Sequence, residues 1–168
     1  RRLQEAMNPP GPDKRELLWG ERLFREGDRI MQTRNDYDVV WEKADGTVGT
    51  GMFNGDVGKI TQIDPSGEWL TVDFDGRAAL YGAEQLSELD LAYAQTVHKA
   101  QGSEYRCVVL SAMPAAQSLM VRGVLYTALT RARELLILVG DDAAVRAMAA
   151  NDRQQRRYSG LRWRLAHS

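Results

Sequence analysis

Two short runs with almost no polar side chain limit the fold most strongly: Cys107–Met113 and Leu135–Gly140. Runs of this kind read as strands buried on both faces, the usual state of a strand in a parallel sheet flanked by helices. The segment between them has the length and pattern of a crossover. Residues 115–123 leave the first strand, and residues 124–135 set Leu125, Ala128, Leu129 and Ala132 along one helical face. After the second strand, Asp141 or Asp142 is placed to cap a helix running to about Ala150. Strand, helix, strand, helix specifies an α/β unit with a parallel sheet.

The middle of the chain follows another pattern. Gly58–Ile63, Glu68–Phe74 and Arg77–Tyr81 alternate as strands do, with Leu70, Val72 and Phe74 on one face. Pro65-Ser66-Gly67 and Asp75-Gly76 supply turns, the second a hairpin signal. Upstream, Gly27–Thr33 reads as a turn entering a strand, and Arg34–Asp38 as a polar turn. Lys43–Gly51, with three glycines, reads as a hairpin tip or a flexible loop. This spacing predicts a small antiparallel barrel inserted into the α/β fold. Residues 1–26 begin helix-like around Leu3 and Met7. Asn8-Pro9-Pro10-Gly11-Pro12 stops that helix, and a second apolar cluster follows at Leu17, Leu18, Trp19, Leu23 and Phe24. Leu89–Ala94 is expected as a strand of the α/β part. The expected divisions are therefore 1–26 (start of the α/β domain), 27–87 (barrel), 88–152 (remainder of the α/β domain) and 153–168 (basic tail).

No run of about 18 apolar residues exists, so no membrane span is expected. The single cysteine, Cys107, excludes an internal disulfide and suggests a reducing, cytoplasmic compartment. Within its apolar run it is expected to be a buried core thiol. The net charge of −1 hides a segregation. Residues 41–95 hold 3 basic and 10 acidic side chains, whereas residues 96–168 hold 11 basic and 5 acidic. The middle repels polyanions; the last part is compatible with phosphate binding.

Two polar stretches stand beside the predicted parallel sheet. Residues 96–105 (Thr-Val-His-Lys-Ala-Gln-Gly-Ser-Glu-Tyr) put a hydroxyl, an imidazole, an ammonium, an amide and a carboxylate between two apolar runs. Residues 125–133 (Leu-Tyr-Thr-Ala-Leu-Thr-Arg-Ala-Arg) carry Arg131 and Arg133, expected two apart on the helix and so pointing in different directions. An arginine fixed beside a sheet edge suits an anionic phosphoryl group. Other chemistries fit poorly. His98 and His167 lack the partners of a metal site, so no metal ligand is assigned. Ser103 lacks a strand–nucleophile–helix elbow. No G-x-x-x-x-G-K-[ST] loop and no apolar strand ending in Asp-Glu is present, so the chain alone is not expected to complete a nucleotide-hydrolysing site.

The stretch 96–105 resembles motif V of superfamily 1 helicases, and 125–133 resembles motif VI, in the right order and spacing. Gly27–Gln32, Asn35–Asp38 and Phe53–Gly58 are similar to the RecD-like branch, also known as the exodeoxyribonuclease V alpha subunit. Leu3-Gln4 and Met7–Pro10 resemble the segment after motif IV in that branch. The resemblance implies an ATP-driven 5′-to-3′ DNA motor of two RecA-like domains. This chain would be the second, carrying an inserted Src-homology-3 (SH3)-like barrel. It implies ATP with Mg2+, the metal held mainly by a first motor domain that this chain lacks. It also implies single-stranded DNA and duplex junctions, the first motor domain, and subunits of a nuclease–helicase complex as partners.

Carried over motif by motif, Arg131 resembles the arginine that reaches the γ-phosphate; the alternative is a surface arginine paired with Glu134. Glu104 resembles the carboxylate near the ribose, with Gly102 allowing close approach; the alternative is a salt bridge. Thr96, His98 and Lys99 resemble the positions that touch single-stranded DNA, a structural histidine being the other reading of His98. Gln101 resembles a coupler between the two sides. Asn35 and Tyr37 meet DNA at the barrel mouth or serve as a turn former and a packed ring. Two further readings differ in kind: a non-enzymatic nucleic-acid- or protein-binding module built on the barrel, and a related motor acting on RNA or within a relaxase.

Overall fold

In the computed structural model the chain forms two compact units, Arg1–Thr96 and Val97 onward. The structure describes residues 1–153. The rest of the expected basic tail, including Arg156, Arg157, Arg162, Trp163 and Arg164, lies outside the described residues.

The first unit opens with α1 (Arg2–Met7), which the proline-rich segment ends as expected. The apolar cluster after it is a hairpin, β1 (Glu16–Trp19) against β2 (Arg22–Arg25). Then follow β3 (Arg29–Gln32), β4 (Asp36–Lys43), β5 (Val48–Met52), β6 (Val57–Ile63), β7 (Trp69–Phe74), β8 (Arg77–Gly82), a 3-10 turn at Gln85–Glu88 and β9 (Leu89–Leu91). They form one seven-stranded sheet in the order β5-β4-β8-β7-β6-β3-β9. Every pairing in it is antiparallel. Alternation drives the curl of this sheet around one core. Leu70, Val72 and Phe74 are buried from β7, and they meet Phe24, Ile30, Ile60, Ile63, Tyr81 and Leu89. Asp75 and Gly76 both take positive φ (52° and 83°), the geometry of a tight hairpin turn.

One open alternative is decided here and one expectation changes. The glycine-rich stretch 43–51 is a hairpin and no loose loop: Gly49 pairs with Trp41 across β4 and β5. A Cβ at Gly49 would collide with the Trp41 ring, so the glycine serves close packing. The strand expected over Leu89–Ala94 is only Leu89–Leu91, and it joins the antiparallel sheet through Ile30↔Leu91 and Gln32↔Leu89 instead of opening the α/β part. Burial decides this: Leu89 is fully enclosed by the first unit's core. The compact units accordingly divide after Thr96.

The second unit contains β10 (Tyr105–Ala112), α2 (Arg122–Leu129), β11 (Ala132–Gly140) and α3 (Asp142–Ala150). β10 and β11 are parallel, as the apolar runs predict. Asp141 caps α3 by accepting the Ala143 N–H at 2.8 Å. The helix expected over 124–135 stops at Leu129, because the strand claims Ala132 onward: Ala132 pairs with Tyr105, and the Tyr105 N–H donates to the Arg131 carbonyl at 2.8 Å. Helical periodicity fitted Ala132, yet the parallel ladder overrides it.

The expectation of strands covered on both faces is also corrected. Val108, Leu110, Ala112 and Leu136 lie on the more buried face. The register-matched opposite face, Cys107–Leu135, Val109–Ile137 and Ser111–Val139, is exposed. Cys107 is thus an exposed thiol and no core residue. Two strands and two helices, the whole of this unit among the described residues, supply only one covering layer.

Candidate nucleotide and nucleic-acid interface

Residues 97–103 leave the first unit as a chain of turns. The Gln101 N–H donates to the His98 carbonyl (3.2 Å) and the Ser103 N–H to the Ala100 carbonyl (3.1 Å). Gly102 has φ +89°, a conformation that a side chain would strain. Ala100 is the buried pin of these turns, while His98, Lys99, Gln101, Gly102 and Glu104 are exposed. Thr96 is also exposed and ends the first unit. The polar side chains are therefore presented outward from a backbone held by its own hydrogen bonds.

Arg131 lies just beyond α2, so it and Arg133 are not two residues of one helix as expected. The end of the helix holds it. Its Nε donates to the Thr127 carbonyl at 3.1 Å, one terminal nitrogen to the Ser103 carbonyl at 2.9 Å, and the other to Thr130 Oγ1 at 3.4 Å. Among the described residues these contacts engage three of five N–H donors, leaving capacity for an anion. Arg133, on β11, pairs with Glu104 at 3.2 Å. Glu134 is taken by Arg106 in a two-pronged contact of 2.9 and 3.1 Å, which raises the Arg106 pKa. The alternative pairing of Arg131 with Glu134 is thus not made, whereas Glu104 does sit in a salt bridge. Both members of that bridge are exposed, so it contributes little to stability.

His98 and Gln101 line a cleft of about 760 Å³ that sequence reading did not assemble. Its other walls include Ser118 and Leu119 of the crossover, Arg122, Tyr126 and Thr127 of α2, and Asp152 and Arg153 after α3. Tyr126 stands in the motif VI stretch, and its solvent-facing position beside Leu125 and Ala128 was the available signal. Gly102, Glu104 and Arg131 are not among these lining residues, although the Arg131 Nε donates to the carbonyl of Thr127, which is one of them. Among the described residues no three metal-ligating side chains stand together. In the first unit, Asn35 accepts the Asn54 N–H at 2.9 Å, and the Tyr37 ring stands edge-on to Phe53 at 5.9 Å.

Comparison with known proteins gives these features a family. Residues 1–74 match the model of the ATP-dependent RecD-like DNA helicase SH3 domain, and residues 91–139 match that of the UvrD-like helicase C-terminal domain. The ATP-dependent RecD2 DNA helicase of Deinococcus radiodurans is 36% identical over 163 residues, covering 97% of this chain and 21% of that protein. The RecBCD enzyme subunit RecD of Mycolicibacterium smegmatis is 34% identical over 155 residues, covering 92% of this chain and 24% of the relative. A chain from a structure of two coordinating Pif1 helicases at forked duplex DNA matches 94% of this chain with a TM-score of 0.52 at 20% identity, a likeness of fold. No helix among the described residues is long and apolar enough to cross a membrane. The chain spans between a fifth and a quarter of the length of these curated relatives, and with an SH3-domain match followed by a helicase C-terminal match it belongs to the RecD-like helicases.

Proposed function

We propose that this chain works as the second-motor-domain part of an ATP-dependent DNA helicase moving 5′ to 3′, completing an ATP site and contacting single-stranded DNA. The observation that supports it best is the anchoring of Arg131. Its hydrogen bonds to the Thr127 and Ser103 carbonyls join the two motif stretches at one end of the parallel strand pair. A guanidinium fixed by backbone acceptors keeps its remaining N–H donors in place before an anion arrives. Such preorganisation is what stabilises the charge of a transferring phosphoryl group.

In this reading Arg131 donates to the γ-phosphate oxygens as charge develops on them, an effect of roughly 10³–10⁵ in rate for comparable arginines. Glu104 exchanges Arg133 for a ribose hydroxyl, which its carboxylate accepts, and Gly102 keeps the backbone clear of the nucleotide. Thr96, His98 and Lys99 meet the DNA strand, with Lys99 as a phosphate contact. Gln101, between the two groups in sequence, couples them. The phosphate-binding loop and the residues that would hold Mg2+ belong to a first motor domain, so the chain alone is inactive.

Joining the chain behind a RecD-like first motor domain tests this. The expected result is DNA-stimulated ATP turnover that neither part shows alone. A joined protein that binds ATP, is folded by circular dichroism and turns over no faster than the first domain alone would overturn the proposal.

A further inference from the structure

We propose that the cleft beside His98 takes one nucleobase of a single strand, with the Tyr126 ring as its stacking platform and Arg122 and Arg153 contacting the flanking phosphates. This rests on the reading that the unit meets a single strand, and it adds Tyr126, Arg122 and Arg153 to the residues that reading assigns to the strand.

The geometry of α2 is the first support. Leu125 and Ala128 are 6% and 4% exposed, so this short helix is held by one narrow face. Tyr126 follows Leu125 and is 67% exposed; its ring cannot reach the core and forms a wall of the cleft. An aromatic ring on an open, partly apolar cleft suits a flat, weakly hydrated partner. Base–aromatic stacking is sequence-tolerant, because every base presents a π-face. The cleft volume of about 760 Å³ is that of a ligand site and far exceeds a packing defect.

Charge is the second support. The Nε of Arg122 donates to the Ala149 carbonyl at 2.7 Å, which orients the guanidinium and leaves its terminal nitrogens for an anion. Arg153 lies on the same cleft, and Asp152 beside it subtracts one charge. Elsewhere in the described part of this unit the carboxylates are engaged: Glu104 with Arg133, Glu134 with Arg106, Asp142 with Arg146, and Asp141 at the α3 cap. A net single positive charge from Arg122, Arg153 and Asp152 suits a strand carrying about one phosphate per base. A nucleoside triphosphate would require more.

The test is fluorescence anisotropy of the 168-residue chain with a labelled dT15 strand and with an abasic strand of equal length, at several salt concentrations. Wild type should prefer dT15. Tyr126→Ala should lose that preference, weakening dT15 about tenfold while leaving the abasic strand unchanged. Tyr126→Phe should retain the preference, and this controls for folding. Arg122→Gln should lower the log–log salt slope by roughly 0.7 on both strands. If Tyr126→Ala binds dT15 as wild type does, the subsite is wrong while strand binding by the unit stands. Displacement of dT15 from wild type by ATP alone would make the cleft a nucleotide site and overturn the proposal. If wild type binds neither strand at low salt, both the subsite and the strand-contact reading fall; the Arg131 reading is then judged separately by turnover.

Discussion

Asp28 is fully buried, and its carboxylate accepts four hydrogen bonds: from Gln4 Nε2 (2.6 Å), Asn8 Nδ2 (2.7 Å), the Arg25 N–H (2.8 Å) and the Tyr93 hydroxyl (2.7 Å). It ties α1, β2 and the segment after β9 to one point. Replacing it leaves those donors without an acceptor, so Asp28→Ala should cost about 2–4 kcal/mol in chemical denaturation. A loss below about 0.5 kcal/mol would show that water or rearrangement satisfies them. Burial, together with the hydrogen bond to Asp28 and its charge, pushes the Tyr93 pKa up to about 12. A pKa raised in the fold means that the stability due to this phenol is complete below its unfolded value of 10.0 and is lost as pH climbs towards 12. Tyr93→Phe should therefore flatten the alkaline fall in melting temperature; an unchanged slope would place the loss elsewhere. None of this was legible in the sequence, where Asp28 reads as a turn residue. Its partners lie up to 65 positions away, and local pattern carries no long-range pairing. Arg131 was the opposite case: its place in a motif was readable, but its anchors, two backbone carbonyls, have no sequence signature.

At the scale of elements, period-two alternation was informative and glycine was ambiguous. β6, β7 and β8 follow the alternating segments closely, because one face had to enter the core. Gly46, Gly49 and Gly51 looked alike in sequence yet do different work. Gly46 and Gly51 take positive φ, while Gly49 leaves room for the Trp41 ring, which also lies 5.8 Å from both Lys43 and Arg77. Gly49→Ala should cost roughly 1–3 kcal/mol and alter the near-ultraviolet tryptophan signal; an unchanged signal would mean that the ring does not pack on this strand. The parallel pair was predictable from its two apolar runs. The start of β11 was not, because Ala132 fits both a helical face and a ladder position opposite Tyr105.

Across the whole molecule the two units differ in how well they are enclosed. The first buries a continuous core including Phe24, Ile60, Leu70, Phe74 and Tyr81. The second buries only Ala100, Ala112, Leu125, Ala128 and Ala144 among its described apolar residues, and exposes Val109, Leu135, Ile137 and Val139. Amides of β6–β8 should thus exchange with deuterium at least about tenfold more slowly than those of β10 and β11 in the isolated chain; equal protection would contradict this contrast. The antiparallel sheet and the parallel strand pair that follows it were legible, since they depend on runs and turns. Enclosure was not, since it depends on which surfaces meet. The proposed role of Arg131 is to act on a phosphoryl group whose other ligands come from a first motor domain. It is tested most directly by single-turnover ATP hydrolysis of the joined two-domain protein carrying Arg131→Ala, with nucleotide affinity measured in parallel. The expected result is a rate lower by about 10³ with affinity changed less than about tenfold. A rate within about threefold of the unsubstituted protein, with the fold intact, would contradict the claim.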